Sequence, residues 1–274
     1  MKDLKWTGER LVTSVINETA IEHLHRYSAV CNLIKDKIVL DIACGEGYGS
    51  NLLSNYASNV YGVDIDLASI EHASEKYKKR NLSFLHGSAD QIPLKDSCLD
   101  VVVSFETIEH HEKHEEMLSE IKRVLKTNGL LIMSSPEKVV PFTINPFHVK
   151  ELTNSEFKDL ISRHFKHHSY YFQRIIMGSL IVNQENESSA ISFHDGDYEN
   201  LIHEKQLSNP IFNICVASDY ELPSLGVSYF EGQKILIENI QKPYKNSRII
   251  KFINRTKKLA SSINFYNLKI FKRK

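Results

Sequence analysis

Nowhere in the 274 residues is there a run of 18 apolar residues, so no membrane-spanning helix is expected. Cysteine is scarce. Cys31, Cys44, Cys98 and Cys215 stand far apart with no Cys-x-x-Cys pair, which argues against a zinc knuckle or a disulfide framework and fits reduced thiols in a cytoplasm. The opening MKDLKWTGERLV mixes acids with its bases and has no apolar core, so it does not read as a signal peptide. Internal repeats and low-complexity tracts are missing too. With 42% apolar and 25% charged residues the usage is that of a globular protein, which removes disordered, collagen-like and coiled-coil readings. A chain of this length can bury a sizeable core without metal or disulfide staples.

An excess of either charge is also absent, since 34 bases balance 34 acids. The balance hides an asymmetry. From Lys242 to the last residue there are eleven bases and no acid, so the rest of the chain carries a net −11. A concentrated basic tail suits an anionic surface or an acidic partner. Outside that tail no broad basic stripe is interleaved with aromatics, and nucleic acid is a poor candidate.

What the sequence does contain is an alternation of strand and helix patterns. Residues 18–34 repeat apolar side chains at helical spacing, then KIVLDIAC (37–44), NVYGVD (59–64), LSFLHG (82–87), LDVVVSF (99–105) and GLLIMSS (129–135) read as β-branched strands. Helical patterns lie between them, at 48–56, 67–79 and 111–125. Near-continuous apolar strands alternating with amphipathic helices predict a doubly wound, mostly parallel sheet covered on both faces. Further on, 155–165 reads as a helix capped by Asn154 or Ser155, and 169–174 and 211–218 as strands, with a polar insert at 175–209 between them that reads as a mobile segment over the site or a surface excursion.

The chemistry is concentrated in VLDIACGEGYGS, a strand running into a turn with Gly45, Gly47 and Gly49 that opens a helix. Asp64 closes the next strand, placed to accept hydrogen bonds from two ribose hydroxyls, so a nucleoside ligand is expected. Asp41, four residues before Gly45, would repel a pyrophosphate and attract an ammonium or a sulfonium. S-adenosylmethionine has both cations and no phosphate.

DIACGEGYG, GVDID and DVVVSFETIEH resemble the class I S-adenosylmethionine-dependent methyltransferases, over about residues 7–174. TGERLV, EHLHRYSAV, GSADQIPL, FETIEHH and NPFHVKELT resemble, more narrowly, the methyltransferases of bacterial surface polysaccharide biosynthesis, including those that cap O-antigen chains. The resemblance implies a Rossmann-like seven-stranded α/β sheet, divided as an N-terminal lid or helix (1–36), the methyltransferase domain (37–222) with its insert at 175–209, and a basic C-terminal helical extension (223–274). It implies that Asp41 and residues 43–47, with Ala43, Gly45 and Gly47, hold the methionine part, that Asp64 takes the ribose and that Ile65 packs on the adenine. The same resemblance implies that Arg26 and Tyr27 meet the cofactor carboxylate; the residues alone also allow them simply to cap the core. Ser88, Ala89 and Asp90 border the adenine, Ser88 or Asp90 reaching its amine, and Phe105 and Glu106 line the same site. Lys126, Thr127, Asn128 and Gly129 stand where the family has a turn, with Gly129 expected at positive φ.

Methyl transfer from a sulfonium is an in-line displacement catalysed mostly by positioning. A hydroxyl acceptor also has to lose a proton, for which His110 or His148, both expected at the carboxyl edge of the sheet, is the candidate base. A phosphate acceptor needs cations instead. His110 and His114 with Glu115 lack a further ligand at metal spacing, so no metal is expected. Acceptors consistent with these residues are a glycan, a phosphoglycan, or a small molecule such as a quinone. A non-catalytic scaffold for a glycosyltransferase is a further alternative, and the basic tail suggests peripheral contact with an anionic membrane.

Overall fold

The structure, a computed structural model, describes Leu4 and residues 10–15, 17–138, 145–177, 180–181, 191–196, 198–233 and 235. Among the described residues the chain runs α1 (Glu18–Ala29), β1 (Ile38–Ile42), α2 (Tyr48–Leu53), β2 (Asn59–Asp64), α3 (Leu67–Lys76), β3 (Leu82–His86), β4 (Leu99–Ser104), a 3₁₀ turn at Ile108–His110, α4 (His114–Val124), β5 (Leu125–Pro136), α5 (Asn154–His164), β6 (His167–Gln173), β7 (Phe193–Gly196), β8 (Leu201–Glu204) and β9 (Phe212–Ser218).

Seven strands form one sheet in the order β3-β2-β1-β4-β5-β9-β6. The first five are parallel, and β9 lies antiparallel between β5 and β6. Parallel neighbours require helical crossovers, and the amphipathic helices between the strands supply them. The period of two divides each strand between two cores. Val39, Val101, Val103, Ile132 and Val216 face Tyr27, Val30 and Leu53, while Leu40, Ile42, Val102, Leu131 and Met133 face Met117, Leu118, Ile121 and Phe157. The order reverses where β1 lies between β2 and β4, the position at which the carboxyl ends of an open α/β sheet part to receive a ligand.

The chain divides into two compact units. The larger comprises Met1–Val15 and Glu22–Phe230, and holds the sheet. The smaller comprises Ile16–Ile21 and Glu231–Lys274, within which an added Cβ on Gly232 would lie 2.5 Å from Ile21. The basic tail from Lys242 lies outside the described residues.

Three local expectations are corrected. The cap of α5 is Thr153, not Asn154 or Ser155: its hydroxyl accepts from Glu156 N while Glu156 Oε2 accepts from Thr153 N, a reciprocal box that only the Thr-x-x-Glu spacing permits. Gly129 does not adopt positive φ. It stands inside β5 because a Cβ there would lie 2.8 Å from Leu125 Cδ2 and 2.9 Å from Lys126 O. Within the insert, β7 and β8 pair as an antiparallel ribbon, regular structure where a mobile segment or a surface excursion was expected.

Candidate active site

β1 ends in a turn whose backbone few side chains tolerate. Ala43 (φ 58°), Gly45 (φ 54°) and Gly47 (φ 86°) are all left-handed, and a Cβ on Gly47 would come within 2.7 Å of Ala73 and 2.9 Å of the Phe84 ring. Gly49 has another task. It opens the first turn of α2, and a Cβ there would lie 2.0 Å from Tyr27 Cζ, so only glycine admits the Tyr27 ring.

That ring brings the Tyr27 hydroxyl to Asp41, 3.2 Å from Oδ1, and Ser50 donates to Asp41 Oδ2 at 2.6 Å. Asp41 is 1% exposed. Burial raises its pKa to about 7, against the opposing pull of the Ser50 and Tyr27 hydrogen bonds, with Asp64 adding to the rise. Asp41 is thus packed beneath the turn, with both oxygens engaged by side chains, and the Tyr27 hydroxyl is spent on it.

Arg26, one residue before Tyr27, is 2% exposed and its Nη1 donates to Gln173 Oε1 at 2.8 Å. Nη1 also lies 3.9 Å from Glu106 Oε1, and the guanidinium sits over the Phe212 ring at 4.6 Å. Its Nε and Nη2 are buried without a hydrogen-bond partner. A buried cation with idle donors is a costly arrangement unless an anion completes it. Glu106 beside it is left-handed at φ 50°, with Ser134 Oγ donating to its Oε1 at 2.5 Å. Backbone strain at the ends of two adjacent strands, at Ala43 and Glu106, is the kind of cost that functional sites retain. Phe105 is buried, its ring 5.2 Å from that of Tyr27.

At the tip of β2, Asp64 is fixed by two backbone amides, Gly45 N to Oδ2 at 2.7 Å and Asp66 N to Oδ1 at 2.8 Å. Ile65 beside it is 71% exposed, an apolar side chain offered to a flat partner. After β3, Ala89 is buried, and Ser88 Oγ donates to Asp90 Oδ1. Asp90 also meets Lys113 Nζ at 3.2 Å and His111 Nε2 at 3.6 Å. The Ser88 hydrogen bond, then that of Lys113, pulls the Asp90 pKa down to about 2.

His110 and His148, 38 residues apart in the chain, come together with ring centroids at 5.1 Å. Val149 N and Lys150 N both donate to Glu109 O, at 2.8 and 3.1 Å, which ties residues 148–150 to the turn after β4. His114 does not join them: it is buried at the start of α4, where burial lowers its pKa. Glu115 is engaged by Arg163 and His164 instead.

Two residues without a predicted role hold the turn in place. Glu46 is buried, accepting from Thr13 Oγ1 and Tyr77 OH, each at 2.8 Å, and from Lys76 Nζ at 2.5 Å. Burial opposes its charge, but these bonds outweigh it and hold the carboxyl below its usual range. Arg10 lays its side chain against Gly45, Cγ 3.3 Å from an added Cβ, and pairs with Asp66 at 2.9 Å. Both partnerships are long-range, and neither leaves a periodic trace in the sequence.

Residues 40–133 match the family model of the methyltransferase domain. A protein of Mycolicibacterium smegmatis named as a probable S-adenosylmethionine-dependent methyltransferase is 33% identical over 165 residues, covering 58% of this chain and 63% of that one. A mitochondrial ubiquinone biosynthesis O-methyltransferase of Schizosaccharomyces pombe is 29% identical over 137 residues, covering 47% and 49%. The chain therefore spans less than two thirds of these relatives' length. The crystal structure of a SAM-dependent methyltransferase from Archaeoglobus fulgidus superposes with a TM-score of 0.51 at 21% identity, covering 73% of this chain and 93% of that one.

The sheet has the class I methyltransferase fold. The matched methyltransferase domain and the fold imply S-adenosylmethionine as the cofactor, and the residues present fit it. Arg26 holds two idle donor atoms for a carboxylate, and Asp64 and Ile65 offer an anion and an apolar face side by side.

Proposed function

We propose that this protein is an S-adenosylmethionine-dependent O-methyltransferase acting on a glycan or phosphoglycan in bacterial cell-surface polysaccharide biosynthesis. The observation that carries the methyltransferase reading is Arg26, a buried guanidinium with unpartnered Nε and Nη2 beside Glu106 just beyond the end of β4. A carboxylate completes it, and the amino-acid end of S-adenosylmethionine supplies one. The cofactor brings a methyl group already activated on a sulfonium.

The chain's own residues do the rest. Arg26 binds the carboxylate, Asp64 accepts from the ribose, Ile65 covers the adenine, and Ser88 with Asp90 borders its amine. Asp41 acts through the turn it supports, by charge and by fixing Tyr27 and Ser50, rather than by an open oxygen. His110 and His148 are the proton acceptors for a hydroxyl acceptor, both placed beyond the strand end where an acceptor would lie.

The glycan assignment rests on the sequence segments TGERLV, EHLHRYSAV and NPFHVKELT. A lipid or quinone acceptor is the second reading, favoured by the likeness to a ubiquinone biosynthesis O-methyltransferase. Among the described residues no helix is long and apolar enough to cross a membrane. Peripheral contact through the eleven bases from Lys242 onward would bring the enzyme to a lipid-borne acceptor in either case. A scaffold role without catalysis has less support, because the Asp41, Asp64 and Arg26 arrangement is intact.

Calorimetric titration with S-adenosylmethionine, followed by methyl transfer to polysaccharide and to quinone acceptors, tests these readings in order. Absence of cofactor binding sinks the methyltransferase proposal. Turnover on the quinone alone replaces the glycan by the second reading.

A further inference from the structure

Glu109, His110 and His148 bring one carboxylate oxygen and two imidazole nitrogens within 4.8 Å of one another. The rings are already oriented. His110 Nδ1 lies 2.9 Å from Phe147 O, and His148 Nδ1 lies 2.5 Å from Glu151 Oε1. A carbonyl and a carboxylate accept hydrogen bonds but do not donate them, so each ring carries its proton on Nδ1 and, when neutral, keeps a lone pair on Nε2. An imidazole tied through one nitrogen to a carbonyl or carboxylate is the usual support of a metal-binding histidine. The third group is Glu109, 1% exposed, its Oε1 3.9 Å from His110 Nε2. Two ligands of a tetrahedral ion with bonds of ~2.1 Å stand about 3.4 Å apart, so the Glu109–His110 pair closes by about half an ångström and no pair of the three, all within 4.8 Å, by more than about 1.4 Å. The backbone bonds from Val149 and Lys150 to Glu109 O hold the two segments in register for it.

From this we infer that Glu109, His110 and His148 form a binding site for a divalent first-row transition ion, with Zn²⁺ the best match. Two imidazoles and a carboxylate favour zinc and its neighbours over calcium or magnesium, which take oxygen ligands. Three protein ligands leave a fourth position for water or for an acceptor oxygen. A hydroxyl on that position gives up its proton more readily, to solvent water, since the ion then occupies the imidazole lone pairs that would otherwise accept it. That use rests on the O-methyltransferase reading; binding of the ion does not. Of His110, His114 and Glu115 only His110 belongs to the cluster, and the ring that completes it stands 38 residues downstream, beyond any local metal spacing.

The test is titration of the metal-stripped full-length protein with Zn²⁺ by calorimetry, and with Co²⁺ read through its visible d–d absorption. One ion per chain is expected. His148→Gln and Glu109→Gln should each weaken binding at least tenfold, and Glu151→Gln, which frees the His148 ring, by about tenfold. S-adenosylmethionine affinity of every variant, measured alongside, reports that the fold survives. No saturable uptake by the wild type, or equal uptake by a His148→Gln variant that still binds the cofactor, overturns the site. Metal uptake without cofactor binding leaves the site standing and sinks the methyltransferase reading instead.

Discussion

The carboxyl edge of the sheet is built in two ways. At the tips of β1 and β2 the carboxylates are fixed from close by in the chain: Gly45 N and Asp66 N grip Asp64, and the Ser50 and Tyr27 hydroxyls grip Asp41. Beyond β4 the histidine cluster is assembled from two distant segments, 109–110 and 147–151, joined by ring nitrogens and two backbone amides. A site built from local backbone turns holds one ligand in one way. A site built from side chains on separate loops can be rebuilt for another acceptor while the sheet is kept. The proposed function assigns cofactor recognition to the first region and acceptor chemistry to the second, and variants should separate them.

The largest separation should come from the rings. His110→Gln or His148→Gln is expected to lower turnover by roughly 10² to 10⁴ while S-adenosylmethionine affinity stays at the wild-type value. Steady-state kinetics beside calorimetry checks both halves. A loss of cofactor affinity instead would merge the two regions into one.

Asp41 tests the cofactor side through pH. In an unfolded chain an aspartate titrates near ~4, whereas burial holds this one at about 7. Between those values the folded protein keeps a proton that the unfolded chain has released. The associated stability is therefore complete below about pH 4 and lost as pH rises toward 7, by at most about 4 kcal/mol. The melting temperature of the ligand-free protein should fall by several degrees from pH 5 to pH 7.5, and Asp41→Asn should flatten the profile. Parallel profiles for the two proteins would show that Asp41 does not carry the proton.

Asp64→Ala should weaken S-adenosylmethionine binding by about 1.5 to 3 kcal/mol, because two ribose hydroxyls lose a charged acceptor. Unchanged affinity in a folded variant would remove the ribose assignment.

The difference between the two regions also decided what could be read from the chain alone. Gly45, Gly47, Asp41 and Asp64 lie within two dozen residues, on a strand, a turn and the next strand, so spacing placed them and the parallel sheet followed from the apolar runs around them. Arg26 came from resemblance, and its idle donors became visible only when α1 was packed near Gln173 and Phe212. Glu46 and Arg10 escaped notice because their partners, Lys76 and Asp66, lie 30 or more residues away and no periodicity links them. The same distance hid the meeting of Glu109 and His148. Gly129 misled for another reason: a glycine is required by crowding as often as by a left-handed turn, and the residues alone do not say which.

The smallest expected effect joins the two regions. Asp90 follows β3 on the cofactor side, yet it accepts from Lys113 and lies beside His111, both just after the turn that carries His110. Asp90→Asn keeps the shape and removes the charge that Lys113 and His111 share. If Asp90 borders the adenine amine, S-adenosylmethionine affinity should fall by about 1 kcal/mol, the worth of a hydrogen bond to a charged group partly exposed to water. Ser88→Ala should then cost less, since its hydroxyl is already committed to Asp90. Isothermal titration of both variants, each paired with turnover at saturating cofactor, reads the two sides at once. A fall in affinity alone keeps the regions separate. A fall in turnover at full saturation would mean that Asp90, through Lys113 and His111, also positions the histidine turn, and the boundary between the two regions would have to move to include it.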